Sequence, residues 1–173
     1  MDMATYEQIM SRPLYIFDLD GTLALMEHRL PFINNGEKRW REFYEACDQD
    51  QPNIPVITLL NQLRQARAEI WIFTGRSDVV REKTEKWLFT HTSLSISEIQ
   101  HGIFMRKDGD YRQDQMLKKF WLLGLSEHDR GRIQMVFEDR DCVVQMWREN
   151  GIPCLQVANG MGKDEGFSSF KAF

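Results

Sequence analysis

Cysteine and histidine are scarce in this sequence, and neither is arranged as a structural site requires. There are three cysteines in 173 residues, and no two of them form a CxxC pair. An odd, scattered set favours a reducing compartment and argues against both a disulfide framework and a zinc knuckle. The four histidines show no HExxH spacing, so we interpret them as surface or packing residues.

Long apolar runs and an excess of positive charge are also missing. No apolar run has membrane-spanning length and no charged-then-apolar leader is present, which predicts a soluble, cytoplasmic protein without a membrane partner. Lys and Arg total 22 against 26 Asp and Glu, a net charge of −4. This balance is not typical of proteins that coat nucleic acid electrostatically, although it is compatible with a local basic pocket.

The phosphate-binding loop GxxxxGK[ST] is absent as well. The late GMGK, residues 160–163, lacks the first glycine and any following Ser or Thr. Kinase activity is therefore not expected. A chain of 173 residues is long enough for one core and nothing in it forces a second, so we expect a single domain over residues 1–173.

What the sequence does contain is an alternation of apolar strands with amphipathic helices. The predicted strands are Leu14–Phe17, Glu69–Phe73, Gly102–Met105, Gln134–Phe137 and Cys154–Ala158. The predicted helices are Glu37–Cys47, Val56–Arg67, Asp78–Phe89, Asp114–Leu123 and Cys142–Asn150. This alternation predicts an α/β fold with a three-layer, doubly wound parallel sheet and one core.

Two acids stand where the first predicted strand ends. Asp18 and Asp20 bracket Leu19, and Gly21 then gives the chain freedom to turn sharply. In an open α/β sheet, ligands bind outside the carboxyl ends of the strands. A lone Asp at such a place commonly caps a turn, but a pair at the end of a buried strand favours a functional site.

Further polar groups follow the later strands, and a parallel sheet would bring them to the same edge. Thr74 and Arg76 follow the second strand, Glu138 and Asp139 follow the fourth, and Lys118 lies on a neighbouring helix. Carboxylates gathered there would repel one another unless a hard divalent cation, Mg²⁺, held them. A phosphoryl group could then meet the cation on one side and the hydroxyl and cationic side chains on the other.

With these residues the chain resembles the haloacid dehalogenase (HAD) superfamily of phosphatases. FDLDGT is similar to its first motif, FTGR to its second, Lys118 to its third and FEDRD to its acidic fourth, in the same order along the chain. The resemblance implies a HAD-like Rossmannoid fold with a minimal cap and a phosphomonoester hydrolase that uses Mg²⁺.

The resemblance also implies a role for each residue. Asp18 would attack phosphorus to form an aspartyl-phosphate, and Asp20 would act as general acid and base. The implied phosphate-binding residues are Thr74, Gly75, Arg76 and Lys118. The implied metal ligands are Asp18, Asp20 through its main-chain carbonyl, Asp139 and Glu138. Many members have two aspartates where this chain has Glu138-Asp139, and we favour Asp139 as the direct ligand.

A closer resemblance extends from Leu14 to Gly160. GDYRQD before Lys118 and the run EDRDCVVQMWRENGIPCLQVANG resemble the 3′-phosphatase domain of phage-type polynucleotide kinase and its stand-alone relatives. This resemblance implies removal of 3′-phosphate from nucleic-acid ends, with substrate contacts at Arg112 and Asp114. It implies a phosphorylated nucleic-acid end or a nucleotide as partner, no obligate protein partner, and is consistent with a phage-encoded protein.

Residues 22–55 are predicted to form a small helical flap rather than a domain. Trp40, Phe43 and Tyr44 recur there at helical spacing, which favours core packing over a base-stacking platform. Without room for a large cap the site would be open to a polymer end. The alternative is a nucleotidase acting on 5′- or 3′-mononucleotides. A receiver-like signalling domain fits poorly, because Phe73 is followed by Thr-Gly-Arg and not by an acid.

Overall fold

The computed structural model describes residues 12–34, 36 and 38–157. Their strands are β1 (Leu14–Phe17), β2 (Ala24–Leu25), β3 (Gln51–Pro52), β4 (Glu69–Ser77), β5 (Ile103–Arg106), β6 (Ile133–Glu138) and β7 (Cys154–Gln156). Their α-helices are α1 (Pro31–Asn34), α2 (Trp40–Glu45), α3 (Ile54–Gln65), α4 (Arg81–His91), α5 (Ile96–Gly102), α6 (Asp114–Gly124), α7 (Glu127–Arg132) and α8 (Asp141–Glu149).

A parallel sheet in the order β5-β4-β1-β6-β7 forms the centre of the fold. Strand β1 lies in the middle, where it pairs with β4 on one side and β6 on the other. Its sequence LYIF is apolar throughout because both faces of a parallel sheet are covered by helices. The predicted α/β class and parallel sheet are confirmed.

Two hydrophobic clusters, one on each face, make the fold three-layered. Phe17 packs on one face with side chains of α3, α4 and α5, including Leu60, Trp87 and Ile99. Ile16 packs on the other face with side chains of α6 and α8, including Leu122 and Trp147. Adjacent residues of β1 point to opposite faces, as the period of a strand requires. The helices therefore cover both sides and leave the carboxyl edge of the sheet for the site.

The segment between β1 and α3 leaves the sheet and returns to it. Strands β2 and β3 pair antiparallel, with Ala24 opposite Pro52 and Leu25 opposite Gln51, and so close the base of the segment. Between them lie α1, α2 and the 3₁₀ turns Glu27–Arg29 and Ala46–Gln49. This is the segment predicted as a flap, and its closed base brings its two ends beside the carboxyl edge of the sheet.

Strand β4 is longer than the sequence predicts. It continues past Phe73 to Ser77, with a shift in its register against β5 between Thr74 and Ser77. Such an irregularity inserts extra residues into one strand and re-aims their side chains. Thr74, Gly75 and Arg76 thus belong to an irregular strand end and not to a loop.

Helices α5 and α7 were not predicted, although each has a readable start signal. Ser95 and Glu98 form a reciprocal capping box at the start of α5, and the Ser126 side chain accepts from Asp129 N at the start of α7. Both helices are short, and their few apolar residues gave no helical periodicity.

Most of the other elements begin or end up to three residues from their predicted bounds. The helix predicted from Glu37 begins at Trp40 and gives way to a 3₁₀ turn at Ala46. Strand β7 ends at Gln156. Residue 37, residue 158 and the predicted loose tail, 159–173, lie outside the described residues. No helix in the described ranges has the length and apolarity needed to cross a membrane.

Candidate active site

The β1–β6 ladder extends one step beyond β1 and aligns the acids at the carboxyl edge. The Asp18 backbone N–H donates to the Phe137 carbonyl at 2.9 Å, so the Asp18 side chain emerges beside the end of β6. Asp18, Glu138 and Asp139 each offer an oxygen within 4.8 Å of the others, and all three side chains are buried. We call these residues the carboxylate cluster.

Lys118 of α6 is the cation that contacts this cluster. Its Nζ donates to Asp18 Oδ1 and, at 2.6 Å, to Glu138 Oε2. Burial alone would lower the pKa of the lysine, but Asp18 and Glu138 outweigh it and raise that pKa. Lys118 is therefore a fixed ammonium, and the structure places it beside the acids at the strand ends.

Asp139 is the member of the cluster without compensation. It is 3% exposed, and neither carboxylate oxygen has a hydrogen-bond partner among the described residues. Burial, followed by the charges of Glu138 and Asp18, raises its pKa well above the ordinary range. Gly21 has φ +89°, and a Cβ there would collide with the Asp139 carboxylate. Glycine thus lets the turn after β1 approach this carboxylate.

Asp18 shares that excess of negative charge. Burial and then Glu138 raise the pKa of Asp18 to about 8, although Lys118 opposes them. One ammonium against three buried carboxylates leaves a deficit of positive charge. Buried charges without compensation are costly, so this arrangement fits an additional cation held by oxygen ligands.

The Asp20 side chain belongs to a second, separate group of charges. Its Oδ1 accepts from Arg29 Nη2 and, at 2.9 and 2.6 Å, from Arg76 Nε and Nη2. Asp50 accepts from Arg29 Nε and Nη2, each at 2.7 Å, and from Arg76 Nη2 at 2.5 Å. We call Asp20, Arg29, Asp50 and Arg76 the arginine–aspartate network. It joins the turn after β1, both ends of the flap segment and β4.

The network sets the protonation of Asp20. Burial raises the pKa of Asp20, but the Arg29 and then the Arg76 guanidinium outweigh it and lower that pKa to about 2. Asp20 is thus a carboxylate at neutral pH while Asp18, two residues away, is shifted in the opposite direction. The two acids of the DxD motif stand in opposite electrostatic environments.

The predicted phosphate-binding residues of β4 lie beside the network. The Thr74 hydroxyl is buried and accepts from the Arg76 backbone N–H at 3.2 Å, which leaves its own proton free to donate. Arg76 is fully buried, and its Nη1 has no partner within the described part of the chain. A Cβ on Gly75 would come within 2.9 Å of Asp114 Oδ1, so only glycine fits that approach.

Asp114 and Arg112, predicted as substrate-binding residues, are placed differently from each other. Asp114 lies behind Gly75, where its two oxygens accept from Arg106 and Arg140. Arg112 is on the surface, paired to Asp110 at 3.0 Å and stacked over the Phe120 ring at 4.4 Å. Asp114 therefore holds the back of the β4 turn, and Arg112 lies farther out.

Sequence reasoning missed Arg29 and Asp50. Arg29 is fully buried, stacks over the Phe43 ring at 4.3 Å and pairs with Asp50, which is 2% exposed. Neither residue falls in a recognisable motif or an amphipathic pattern, because the segment between them is irregular. Only the pairing of β2 with β3 brings them to Asp20.

Comparison with known proteins shows the family to which this chain belongs. Residues 12–161 match the family described as the polynucleotide kinase PNKP phosphatase domain. The chain belongs to that family. It is a HAD-type phosphatase, a phosphoric monoester hydrolase, and the resemblance seen in the sequence is confirmed.

Individual relatives agree with this assignment. A protein of Autographa californica nuclear polyhedrosis virus, named as a bifunctional polynucleotide kinase/RNA ligase, is 31% identical over 141 residues. A chain of the Pnkp1/Rnl/Hen1 RNA repair complex is 33% identical with a TM-score of 0.66 over 85% of this chain. A class C acid phosphatase of Bacillus anthracis with bound tungstate shares the fold, with a TM-score of 0.61 over 87% of this chain at 13% identity.

These relatives are longer than this chain. The match takes in 80% of this chain but 18% of the viral protein, and 43% of the repair-complex chain. The acid phosphatase is covered to 68%. The family assignment therefore concerns the phosphatase domain, which is a fraction of the length of the first two proteins.

Removing the uncompensated carboxylate is predicted to stabilise the metal-free protein. The pKa values of Asp18 and Asp139 are raised in the folded state, so ionisation of these two groups opposes folding increasingly as the pH rises above about 4, and for Asp18 this effect continues to about pH 8. In a chelator at pH 8, Asp139→Asn should have a free energy of unfolding about 1–3 kcal/mol above wild type, with the difference shrinking toward pH 4. Urea unfolding at several pH values measures this.

The exposed Asp48 supplies the control, because Asp48→Asn removes a carboxylate without touching the carboxylate cluster. Added Mg²⁺ should stabilise wild type and Asp48→Asn at pH 8 but not Asp139→Asn. A wild-type protein more stable than Asp139→Asn in chelator at pH 8 would contradict the electrostatic account.

Breaking the arginine–aspartate network should have the opposite effect. Asp50→Asn leaves Arg29 and Arg76 with Asp20 as their remaining carboxylate, and removing one partner of a buried ion pair costs about 3–5 kcal/mol. The free energy of unfolding should fall by that amount. Asp48→Asn, two residues away on the surface, should change it by less than about 0.5 kcal/mol. Equal stability of the two variants would show that the network does not hold the flap segment.

Proposed function

We propose that this protein is a Mg²⁺-dependent phosphatase that removes 3′-phosphate from nucleic-acid ends through an aspartyl-phosphate on Asp18. The observation that carries the proposal is the carboxylate cluster, in which Asp139 is buried without a partner and one lysine is the contacting cation. This chemistry requires a bound cation and a nucleophilic carboxylate at one place. The cluster offers carboxylates that can bind the cation and one, Asp18, that can act as the nucleophile.

Asp18, Glu138 and Asp139 are the residues that would hold the metal ion. Their donors are all carboxylate oxygens, the ligand type that Mg²⁺ prefers, and HAD phosphatases in general use a divalent metal. Asp139 is the best direct ligand because both of its oxygens are free of other partners. The Asp20 side chain points into the arginine–aspartate network, so its contribution would come from the main-chain carbonyl. Bound there, the cation would neutralise the carboxylates and polarise a phosphoryl oxygen.

The reaction takes two displacements at phosphorus. In the first, an Asp18 carboxylate oxygen bonds to phosphorus as the bond to the 3′ oxygen breaks, and that oxygen leaves as the 3′-hydroxyl after taking a proton from Asp20. In the second, water attacks the aspartyl-phosphate and gives its proton to Asp20. Inorganic phosphate leaves and the Asp18 carboxylate is restored. Lys118 holds Asp18 in place through its bond to Oδ1.

Asp20 must be protonated for the first displacement, yet its pKa in the free protein is about 2. A phosphate entering beside Arg76 would share that guanidinium with Asp20. Weakening one of the cationic contacts raises the pKa of a carboxyl group, so substrate binding itself prepares the acid. The ionised form that prevails without substrate is the one the second displacement needs as a base.

The phosphate pocket is built from the irregular end of β4. The Thr74 hydroxyl proton and the Arg76 Nη1 are donors available for phosphate oxygens, and Lys118 adds positive charge. Gly75 lets the strand pass close to Asp114, which fixes the turn through its contacts with Arg106 and Arg140. Asp114 thus supports substrate binding by positioning.

Nucleic-acid ends are proposed as substrate on the strength of the family and its named relatives. The family is the phosphatase domain of a polynucleotide kinase, and two relatives above 30% identity carry RNA ligase or RNA repair in their descriptions. RNA ends are therefore the first substrate to test. Because one of these relatives lies in a multi-protein complex, independence of protein partners stays a prediction.

The substrate is tested by phosphate release from a matched set, with and without Mg²⁺. The set contains 3′-phosphorylated RNA and DNA oligonucleotides, their 5′-phosphorylated twins and the corresponding mononucleotides. We expect Mg²⁺-dependent release from the 3′-phosphorylated oligonucleotides above all others. Asp18→Asn should lower the rate by at least about a thousandfold, because the nucleophile is lost, while Asp48→Asn keeps it.

Each arm of this experiment has a contrary result. Preference for mononucleotides would make the protein a nucleotidase and leave the chemistry of Asp18 untouched. Release that does not depend on Mg²⁺, or that survives in Asp18→Asn with the fold intact by circular dichroism, would contradict the proposed mechanism.

A further inference from the structure

A groove of about 770 Å³ lies between the flap segment and the loop that follows β5. Helix α2 forms one wall through Trp40, Arg41 and Tyr44. The loop from Lys107 to Arg112 forms the other wall, and residues from Ser77 to Val80 line the groove between them. None of the residues to which the phosphatase chemistry is assigned above lines this groove, apart from Arg112.

The groove presents aromatic faces to solvent. Tyr111 is 95% exposed and Trp40 is 46% exposed. Trp40 lies nearly parallel to Tyr44, with ring centroids 6.2 Å apart and planes 27° apart, and is anchored edge-on against the buried Phe43. The aromatic residues of α2 therefore face two ways. Phe43 packs into the core, while Trp40 and Tyr44 line the groove.

Tyr111 is exposed on a loop that is tied down on both sides. Arg106 Nη1 donates to the Asp110 carbonyl at 2.9 Å and to the Arg112 carbonyl at 2.7 Å, one residue before and one after the ring. Arg112 also binds Asp110 through its backbone N–H and its side chain. Tyr111 and Trp40 thus present two exposed aromatic rings on one groove, and adjoining exposed apolar surface is typical of a binding site.

The charges along the groove are largely paired with one another. Arg112 pairs with Asp110, and Lys107 pairs with Asp78 at 3.0 Å. Glu45 at the edge of α2 pairs with Lys83 at 2.8 Å. The lining thus offers little net charge to a polyanion, and a flat, neutral, aromatic ligand suits it better.

The groove adjoins the irregular end of β4, since Ser77 lines it. Tyr44 lines the groove, and burial raises the pKa of its phenol. Arg106 lines the groove and also donates to the Gly75 carbonyl at 3.0 Å, so the groove begins at the back of the proposed phosphate pocket.

We propose that this groove binds the terminal nucleobase of the phosphorylated strand by stacking on Tyr111 and Trp40. The assignment rests on the proposed function, because it places the base next to the phosphate that Asp18 attacks. Stacking accepts every base, since each has a flat π face, and the groove therefore selects nucleosidic ends without reading their sequence. Arg112 contributes to base binding indirectly, because its bonds to Asp110 hold the loop that carries Tyr111.

The test compares two oligonucleotides that differ in the terminal base alone, a 3′-phosphorylated end with its base and the same end with an abasic sugar. Binding of the Asp18→Asn variant is followed by fluorescence anisotropy of a dye at the far end. We expect the base to tighten binding about tenfold, in the range measured for single stacked bases. Tyr111→Ala and Trp40→Ala should bind the intact end no better than the abasic end, whereas Tyr111→Trp should keep the preference.

Phe89→Ala is the matched control, because Phe89 is an exposed ring on α4, 53% exposed, that does not line the groove. It should leave the preference for the base unchanged. Trp40 is half-buried, so the Tyr111 variants decide the question if Trp40→Ala does not fold. Equal affinity, or no measurable affinity, for the two ends overturns the groove assignment. So does a loss in Tyr111→Ala that is the same for both ends.

The same oligonucleotides separate this proposal from the proposed function. If the wild-type protein releases no phosphate from the intact end although the Asp18→Asn variant prefers that end to the abasic one, the phosphatase proposal fails and the groove assignment stands. If phosphate is released from intact and abasic ends with equal kcat/KM, and both bind equally, the phosphatase proposal stands and the groove assignment fails.

Discussion

The carboxylate cluster concentrates three buried acids at the carboxyl edge of the sheet. Parallel pairing of β1 with β6 places Asp18 beside Glu138 and Asp139, and burial removes the water that would otherwise solvate them. Lys118 compensates for part of the charge and leaves Asp139 without a partner. Holding this negative charge in one place therefore lowers the stability of the metal-free fold. A bound cation would offset the repulsion between the carboxylates.

The arginine–aspartate network stabilises the fold, because its opposite charges are paired. Two guanidiniums and two carboxylates of the arginine–aspartate network balance each other in charge, and they tie the flap segment to the turn after β1 through Arg29 and Asp50. Of the two acids of the DxD motif, Asp18 thus lies beside other carboxylates and Asp20 lies beside two guanidiniums. This separation suits the roles proposed for the two acids, Asp18 as nucleophile and Asp20 as acid and base.

The sequence predicts those site residues that lie close together in the chain or directly after a strand, and it misses those that only tertiary contacts bring together. Strand β1, its acids and Gly21 are adjacent in the chain, so an apolar run ending in DxDG was enough to place them. Thr74, Lys118 and Glu138 were placed by the rule that parallel strands share an edge. Arg29 and Asp50 could not be found, because their burial depends on the pairing of β2 with β3 and on no local pattern. The exposure of Tyr111 likewise depends on tertiary hydrogen bonds from Arg106.

The proposed mechanism requires that Asp18 becomes covalently phosphorylated. Its most direct test is to mix the protein with a 3′-phosphorylated oligonucleotide radiolabelled in that phosphate, quench in acid within one turnover, and measure label on the denatured polypeptide. We expect label on the wild type and none on Asp18→Asn. Label that persists in Asp18→Asn, or turnover by the wild type without any labelled polypeptide, would contradict it.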